Sequence, residues 1–158
     1  MREEEFLQLI DQHQGIIHKI CRLYRDHKED REDLFQEIVF QLWKSAPSFG
    51  NRAKFSTWMY KVALSTALAA FRKKSPTIMY LPEIPEHAEE AQDPGDQAVQ
   101  LFEAIKKLKE SERALIILYL ENLSQKEIAE ISGITENHVG VKLNRIKNKI
   151  QELINSKL

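Results

Sequence analysis

The sequence predicts an all-α protein: two small helical domains joined by an acidic, proline-containing linker, the C-terminal domain being a helix-turn-helix. Three observations predict it. Apolar residues recur every three or four positions through both ends of the chain. The stretch 76–97 carries prolines and acids but no such period. Near the C-terminus a capping box, a glycine and a second cap follow in close succession.

The elements follow in order. Phe6, Leu9, Ile10, His13, Ile16, Ile17, Ile20 and Tyr24 make one face of a first amphipathic helix. A second begins near Asp30, with Asp30, Glu32 and Asp33 in its first turn, where the helix dipole favours acids. Its apolar stripe is Leu34, Ile38 and Leu42 with neighbouring Trp43, and Pro47-Ser48-Phe49-Gly50-Asn51 breaks it. Ser56 or Thr57 is the expected cap of a third helix, whose buried face is Met59, Val62, Ala63, Thr66, Ala67 and Ala70. Arg72-Lys73-Lys74 and then Pro76 end it.

Pro76, Pro82, Pro85 and Pro94 alternate with six acids across 76–97, without a lysine or arginine. An unstructured stretch of this length is uncommon inside a compact domain, so it is expected to link domains over 1–75 and 98–158. Fully extended it reaches roughly 70 Å, at about 3.3 Å per residue.

A helix from about Asp96 to Lys109 is expected to turn Val99, Phe102, Ile105 and Leu108 inward; another, Ser111 to Glu121, turns in Leu115, Leu118 and Tyr119. Ser124-Gln125-Lys126-Glu127 is a capping box opening a helix with Ile128, Ala129 and Ile131 inward. Gly133 suits a left-handed turn, and Thr135 caps a long last helix with Val139, Leu143, Ile146, Ile150 and Leu153 inward. Two helices joined by such a turn form a helix-turn-helix, and the spacing of Ala129, Gly133 and Val139 resembles that of DNA-binding units, although a structural αα-hairpin could show each feature singly. The outward face of the last helix offers Glu136, Asn137, His138, Val141, Lys142 and Arg145. Asn137 suits adenine, Arg145 suits guanine or phosphate, and Lys126 and Lys142 suit phosphate. Val141 is either incidental surface or a contact to a thymine methyl, through a close approach to DNA that Gly140 permits.

Composition excludes several classes. Cys21 is the single cysteine, so neither an internal disulfide nor a cysteine-based zinc site is available, and its apolar face makes it a core residue. The five histidines show no metal-ligand spacing, and no metal or cofactor is expected. No Gly-rich phosphate loop or nucleophile elbow appears, so neither an enzyme nor a small-molecule substrate is expected. No apolar run is long enough to insert in a membrane, and Met1-Arg2-Glu3-Glu4-Glu5 is too acidic for a signal peptide, so a cytoplasmic location is expected. The net charge of −1 hides a segregation. Residues 1–75 hold thirteen basic side chains against ten acids, and 98–158 hold ten against eight.

Three segments carry a family resemblance. Asp33-Leu34-Phe35-Gln36-Glu37-Ile38-Val39-Phe40-Gln41-Leu42-Trp43-Lys44 resembles the segment by which sigma factors grip the clamp of bacterial core RNA polymerase. Phe55-Ser56-Thr57-Trp58-Met59-Tyr60-Lys61-Val62-Ala63 resembles the segment that engages and melts the promoter −10 element. Leu123-Ser124-Gln125-Lys126-Glu127-Ile128-Ala129-Glu130 resembles the start of the −35-reading helix-turn-helix. Their order and the chain's size point to the extracytoplasmic-function (ECF) group, alternative sigma factors that direct promoter-specific transcription initiation.

The resemblance implies core-polymerase contacts at Asp33, Leu34, Gln36, Glu37 and Gln41, of which the polar four also share one helix face. It implies −10 DNA contacts at Lys44, Phe49, Asn51, Arg52, Lys54, Ser56, Thr57, Lys61 and Ser65, with Phe55 and Trp58 preferred as core. The −35 contacts fall on Lys126, Glu136, Asn137, His138, Val141, Lys142 and Arg145. The partners implied are core RNA polymerase and promoter DNA; members of the group are often held by a membrane-linked anti-sigma factor, a further partner to consider. The linker's reach together with the domains' own widths is expected to cover promoter elements about two helical turns, roughly 70 Å, apart, and its acidity is expected to mimic nucleic acid inside the polymerase.

This chain departs from the group at Ser65 and Ala69, where asparagine and aspartate are usual. It departs again at His138-Val139-Gly140-Val141-Lys142, where Thr-Val-Lys-Ser-Arg is common, and at Arg145-Ile146-Lys147. These departures bear on which promoter is read. Two other readings of the helices remain: a helix-turn-helix regulator with a helical sensor domain, which binds duplex DNA without polymerase, and a helical adaptor with no salt-dependent DNA affinity.

Overall fold

The computed structural model describes residues 2–50, 54–73 and 95–156, whose regular structure is helical, without a strand among them. The linker expected over 76–97 lies almost wholly outside the described residues. The helices form two compact units.

The first unit contains α1 (Glu3–Tyr24), α2 (Lys28–Ser45) and α3 (Phe55–Lys73), each packed on the other two. Ile17, Ile20 and Leu23 of α1, Leu34, Ile38 and Leu42 of α2, and Met59, Ala63 and Ala67 of α3 are almost fully enclosed. The alanines of α3 let its backbone approach its neighbours closely. Cys21 belongs to this core; burial pushes its thiol up to about 11 against the opposing pull of Arg22, Arg31 and Arg25, so it is an unreactive packing residue.

Two expectations about this unit change. The second helix starts at Lys28, so Glu29 and Asp30, rather than Glu32 and Asp33, occupy its first turn. The third helix starts at Phe55, with the Trp58 N–H bonded to the Lys54 carbonyl, so Ser56 and Thr57 lie in the first turn instead of capping it. Pro47 ends α2 for a direct reason: it has no N–H to give the Trp43 carbonyl, and that of Ala46 takes its place in a 3-10 turn, Ala46–Ser48.

The second unit contains α4 (Asp96–Lys106), α5 (Glu110–Leu120), α6 (Gln125–Ser132) and α7 (Glu136–Asn155). Its core joins Ile105, Leu108, Leu115, Leu118, Ile128, Val139, Leu143, Ile146 and Ile150. Arg113 ties the corner between α4 and α5. Its Nη2 and Nε donate to the Lys106 and Leu108 carbonyls at 2.7 and 3.1 Å, satisfying groups a helix end leaves bare.

Val99, Phe102 and Tyr119, expected inward, are exposed. The buried residues of α4 are Ala104 and Ile105 in its last turn, where it packs on α5 and α7, while Val99 and Phe102 earlier in the stripe are covered only in part. Tyr119 lies instead under Lys147 of α7, whose Nζ is 4.0 Å from the ring centroid, a cation–π contact.

Glu112 joins α5 to α7. It accepts from the Lys109 N–H at 3.1 Å and from Lys149 Nζ at 3.1 Å. Burial pushes its carboxyl up, but these bonds and the positive charge outweigh burial and hold it below the ordinary value.

Two measurements follow. Gly15 sits exposed in the middle of α1, with open space where a Cβ would stand. Gly15→Ala should stabilise the first unit by about 0.5–1 kcal/mol, read as a raised urea midpoint with unchanged slope. Glu112→Gln should cost about 1 kcal/mol at neutral pH. Because the folded carboxyl titrates lower than the unfolded one, that difference is complete above the ordinary value of 4.5 and closes as pH falls through the folded value; urea titrations at pH 7 and pH 3 check it.

Candidate functional site

The helix-turn-helix of the second unit is built from local chemistry. Ser124 Oγ accepts from the Glu127 N–H at 3.1 Å, and Glu127 accepts from the Ser124 N–H at 2.9 Å, so the capping box is complete. Gly133 ends α6 at φ 78°, the left-handed region that a Cβ disfavours. Thr135 Oγ1 accepts from the His138 N–H at 3.1 Å and opens α7.

Burial of Val139, Leu143, Ile146 and Ile150 fixes the rotation of α7. It leaves Asn137, His138, Val141 and Arg145 exposed together on the opposite side. Glu136 and Lys142 fall on opposite flanks of that face, Lys142 partly covered; Lys126 is exposed at the start of α6. Asn144 and Asn148 also lie on the outward face, which the sequence reading passed over although three asparagines at helical spacing are a recognisable polar stripe. Between Glu136 and Glu152 this helix carries Lys142, Arg145, Lys147 and Lys149 and no acid.

Gly140 also has a neighbour within the unit: a Cβ there would stand 2.7 Å from Gln125 Nε2 of α6. Val141 is nonetheless 43% exposed, in reach of a partner.

In the first unit, burial of Leu34, Ile38 and Leu42 turns Asp33, Gln36 and Glu37 outward on α2, with Gln41 partly covered and its Nε2 donating to Glu37 Oε2 at 2.9 Å. Leu34 itself is 3% exposed and is removed from the candidate contact residues, because its side chain is spent on the core. Phe40, missed by the sequence reading, is 56% exposed and falls by helical phase between Gln36 and Glu37. Beside it lies an open groove of about 490 Å³, bordered by Leu7 of α1 and Phe35, Val39 and Trp43 of α2. Phe40 and Trp43 thus form part of an exposed apolar patch on α2.

The opposite chemistry collects around the start of α3. Lys44, Lys54, Lys61 and Ser65 are exposed; Ser56 is half-buried. Thr57 is 8% exposed and faces the core, so it too is removed from the candidates. Phe49 packs against Phe55 and Trp58 at centroid distances of 5.8 and 5.0 Å, so all three form one half-buried aromatic cluster that His13 extends. Asn51 and Arg52 lie outside the described residues. A sequence signal for this surface exists beyond the domain totals: between Glu37 and Glu83 stand seven lysines and arginines and no acid. Among the described residues no group of His, Cys, Asp and Glu is gathered to hold a metal, and no helix is long and apolar enough to cross a membrane.

Comparison with known proteins agrees with this arrangement. The sequence model of Sigma-70 region 2 matches residues 9–77, and that of Sigma-70 region 4 matches residues 98–150. The chain is 26% identical to the ECF RNA polymerase sigma factor SigW of Bacillus subtilis, over 95% of this chain and 89% of that one. It is 29% identical to the ECF RNA polymerase sigma-E factor of Haemophilus influenzae, over 80% and 78%. Its fold is similar to that of the sigma factor RpoE of Bartonella quintana, solved with the anti-sigma factor NepR, with TM-score 0.77, 18% identity and coverage of 96% and 98%. It is also similar to CnrH, solved with the cytosolic domain of CnrY, with TM-score 0.73, 17% identity and coverage of 99% and 92%. With both sigma-70 regions present in order and full-length ECF relatives, the chain belongs to the sigma-70 family as an ECF RNA polymerase sigma factor, an alternative sigma factor that directs promoter-specific transcription initiation.

Proposed function

We propose a division of this work among three surfaces, with polymerase-binding and −10 functions in 1–75, a linker over 76–97 and −35 reading in 98–158. The polymerase surface is Asp33, Gln36, Glu37 and Gln41 on α2, with Phe40 and the apolar groove beside it. A helix of core polymerase carrying basic residues around an apolar stripe fits this combination: the acids set orientation and Phe40 supplies the desolvated anchor.

The −10 surface is Lys44, Phe49, Lys54, Ser56, Lys61 and Ser65, together with Asn51 and Arg52. Lysines hold the phosphates, and the aromatic cluster offers a ring edge to an unstacked base. Melting the duplex then needs binding energy for the single-stranded state and no bond chemistry, so the protein acts by binding and not as an enzyme. The −35 surface is Asn137, His138, Val141 and Arg145 at the amino end of α7, with Glu136, Lys142 and Lys126 at its edges. Its work lies in the cytoplasm, where polymerase and promoters are. An anti-sigma factor, of the kind bound to the similar sigma factor from Bartonella quintana, would act by covering these same faces.

The observation that carries this reading is the separation of charge in the first unit: outward acids on α2 at Asp33 and Glu37, then only cations through α3. The double reversal Asp33→Lys with Glu37→Lys should weaken binding to core polymerase at least about tenfold, and Phe40→Ser should do so independently, both with unchanged thermal midpoints. Fluorescence anisotropy of labelled protein titrated with core polymerase reads the effect. Unchanged affinity in all variants would remove α2 from the interface.

A further inference from the structure

Gly140 is an anomaly in the described structure. It stands in the body of α7, where glycine weakens a helix, and no turn or positive φ calls for it. What fills the space is the side chain of Gln125, the first residue of α6. Its Nε2 donates to the Glu136 carbonyl at 3.2 Å and sits 2.7 Å from where a Cβ on residue 140 would be. The Glu136 carbonyl is the one to which the Gly140 N–H points along the helix, so the carboxamide occupies the notch above that bond. The joint lies beside Glu136 and Asn137, at the end of α7 that enters the major groove in helix-turn-helix proteins.

We infer that Gln125 and Gly140 form a specificity-determining pair, in which the glycine notch admits the glutamine and the glutamine positions the amino end of α7 against α6 for −35 reading. The inference rests on the assignment of α7 to the −35 element. Gln125 is a positioning residue here, acting through the helix that bears the reading side chains. The obstruction a Cβ would meet is the far end of a flexible side chain, which swings away easily. Loss of the notch therefore leaves the fold intact and changes only how α7 is held.

The test compares Gly140→Ala, Gln125→Ala, their double variant and Arg145→Ala, all in the full chain. Each is measured for thermal midpoint, and for transcription with core polymerase from a promoter library randomised at the −35 element. Gly140→Ala is expected to keep or raise the thermal midpoint while losing about tenfold in preference for the best −35 sequence, the scale of one lost base contact. Gln125→Ala should give a similar loss, and the double variant no more than either alone. An unchanged −35 profile in Gly140→Ala, or losses that multiply in the double variant, overturns the pairing. If Arg145→Ala leaves the −35 profile unchanged as well, the assignment of α7 has failed and the pairing falls with it; if Arg145→Ala alone changes the profile, only the pairing falls.

Discussion

Leu34, Ile38 and Leu42 constrain the first unit more than any other group. They lie four apart on α2, have almost no exposed surface, and are sunk between α1 and α3. Enclosing each is worth about 1.5–3 kcal/mol, so the rotation of α2 is set by several kcal/mol in favour of one face. Turning the helix by one residue would bring Asp33 and Glu37 toward the core, at the cost of desolvating two carboxylates. The polar row, Phe40 and the flanking groove thus point outward because of what points inward.

Val139, Leu143, Ile146 and Ile150 fix α7 by the same logic, but the joint preceding it is made differently. Two side-chain caps and one left-handed glycine define it within a few residues, so little depends on distant packing. A base-reading helix benefits from such a joint, since a displacement of an ångström at its amino end shifts every contact it makes. Gln125 adds a hydrogen bond from α6 to the first turn of α7. In the first unit the aromatic cluster of Phe49, Phe55 and Trp58 packs the end of the 3-10 turn against the first turn of α3.

What was legible in the sequence follows the same division. Ser124, Glu127, Gly133 and Thr135 could be read directly, because capping is decided by neighbours along the chain. The stripes of α1, α2 and α7 were legible by period. Ser56 and Thr57 misled because their side chains suit a cap, while the start of α3 was settled by Lys54 and the buried side of Thr57. Leu34 belonged to a segment with a recognisable role, and its own burial took it out of that role. Phe40 is apolar and reads as core in isolation; only the rotation of α2 turns it outward. Val99 and Phe102 kept a helical period, but period cannot tell how far neighbouring elements cover a helix face. The contact of Gln125 with Gly140 joins residues on two helices, and no local pattern announces it.

If one chain brings core polymerase to promoters defined by two separated elements, run-off transcription with bacterial core polymerase on fragments of the source genome, with and without the protein, should reveal it. Discrete new start sites are expected only with the protein, sharing two upstream sequence elements about two helical turns apart. Tight binding to duplex DNA in the absence of polymerase, with no new start sites, would contradict it.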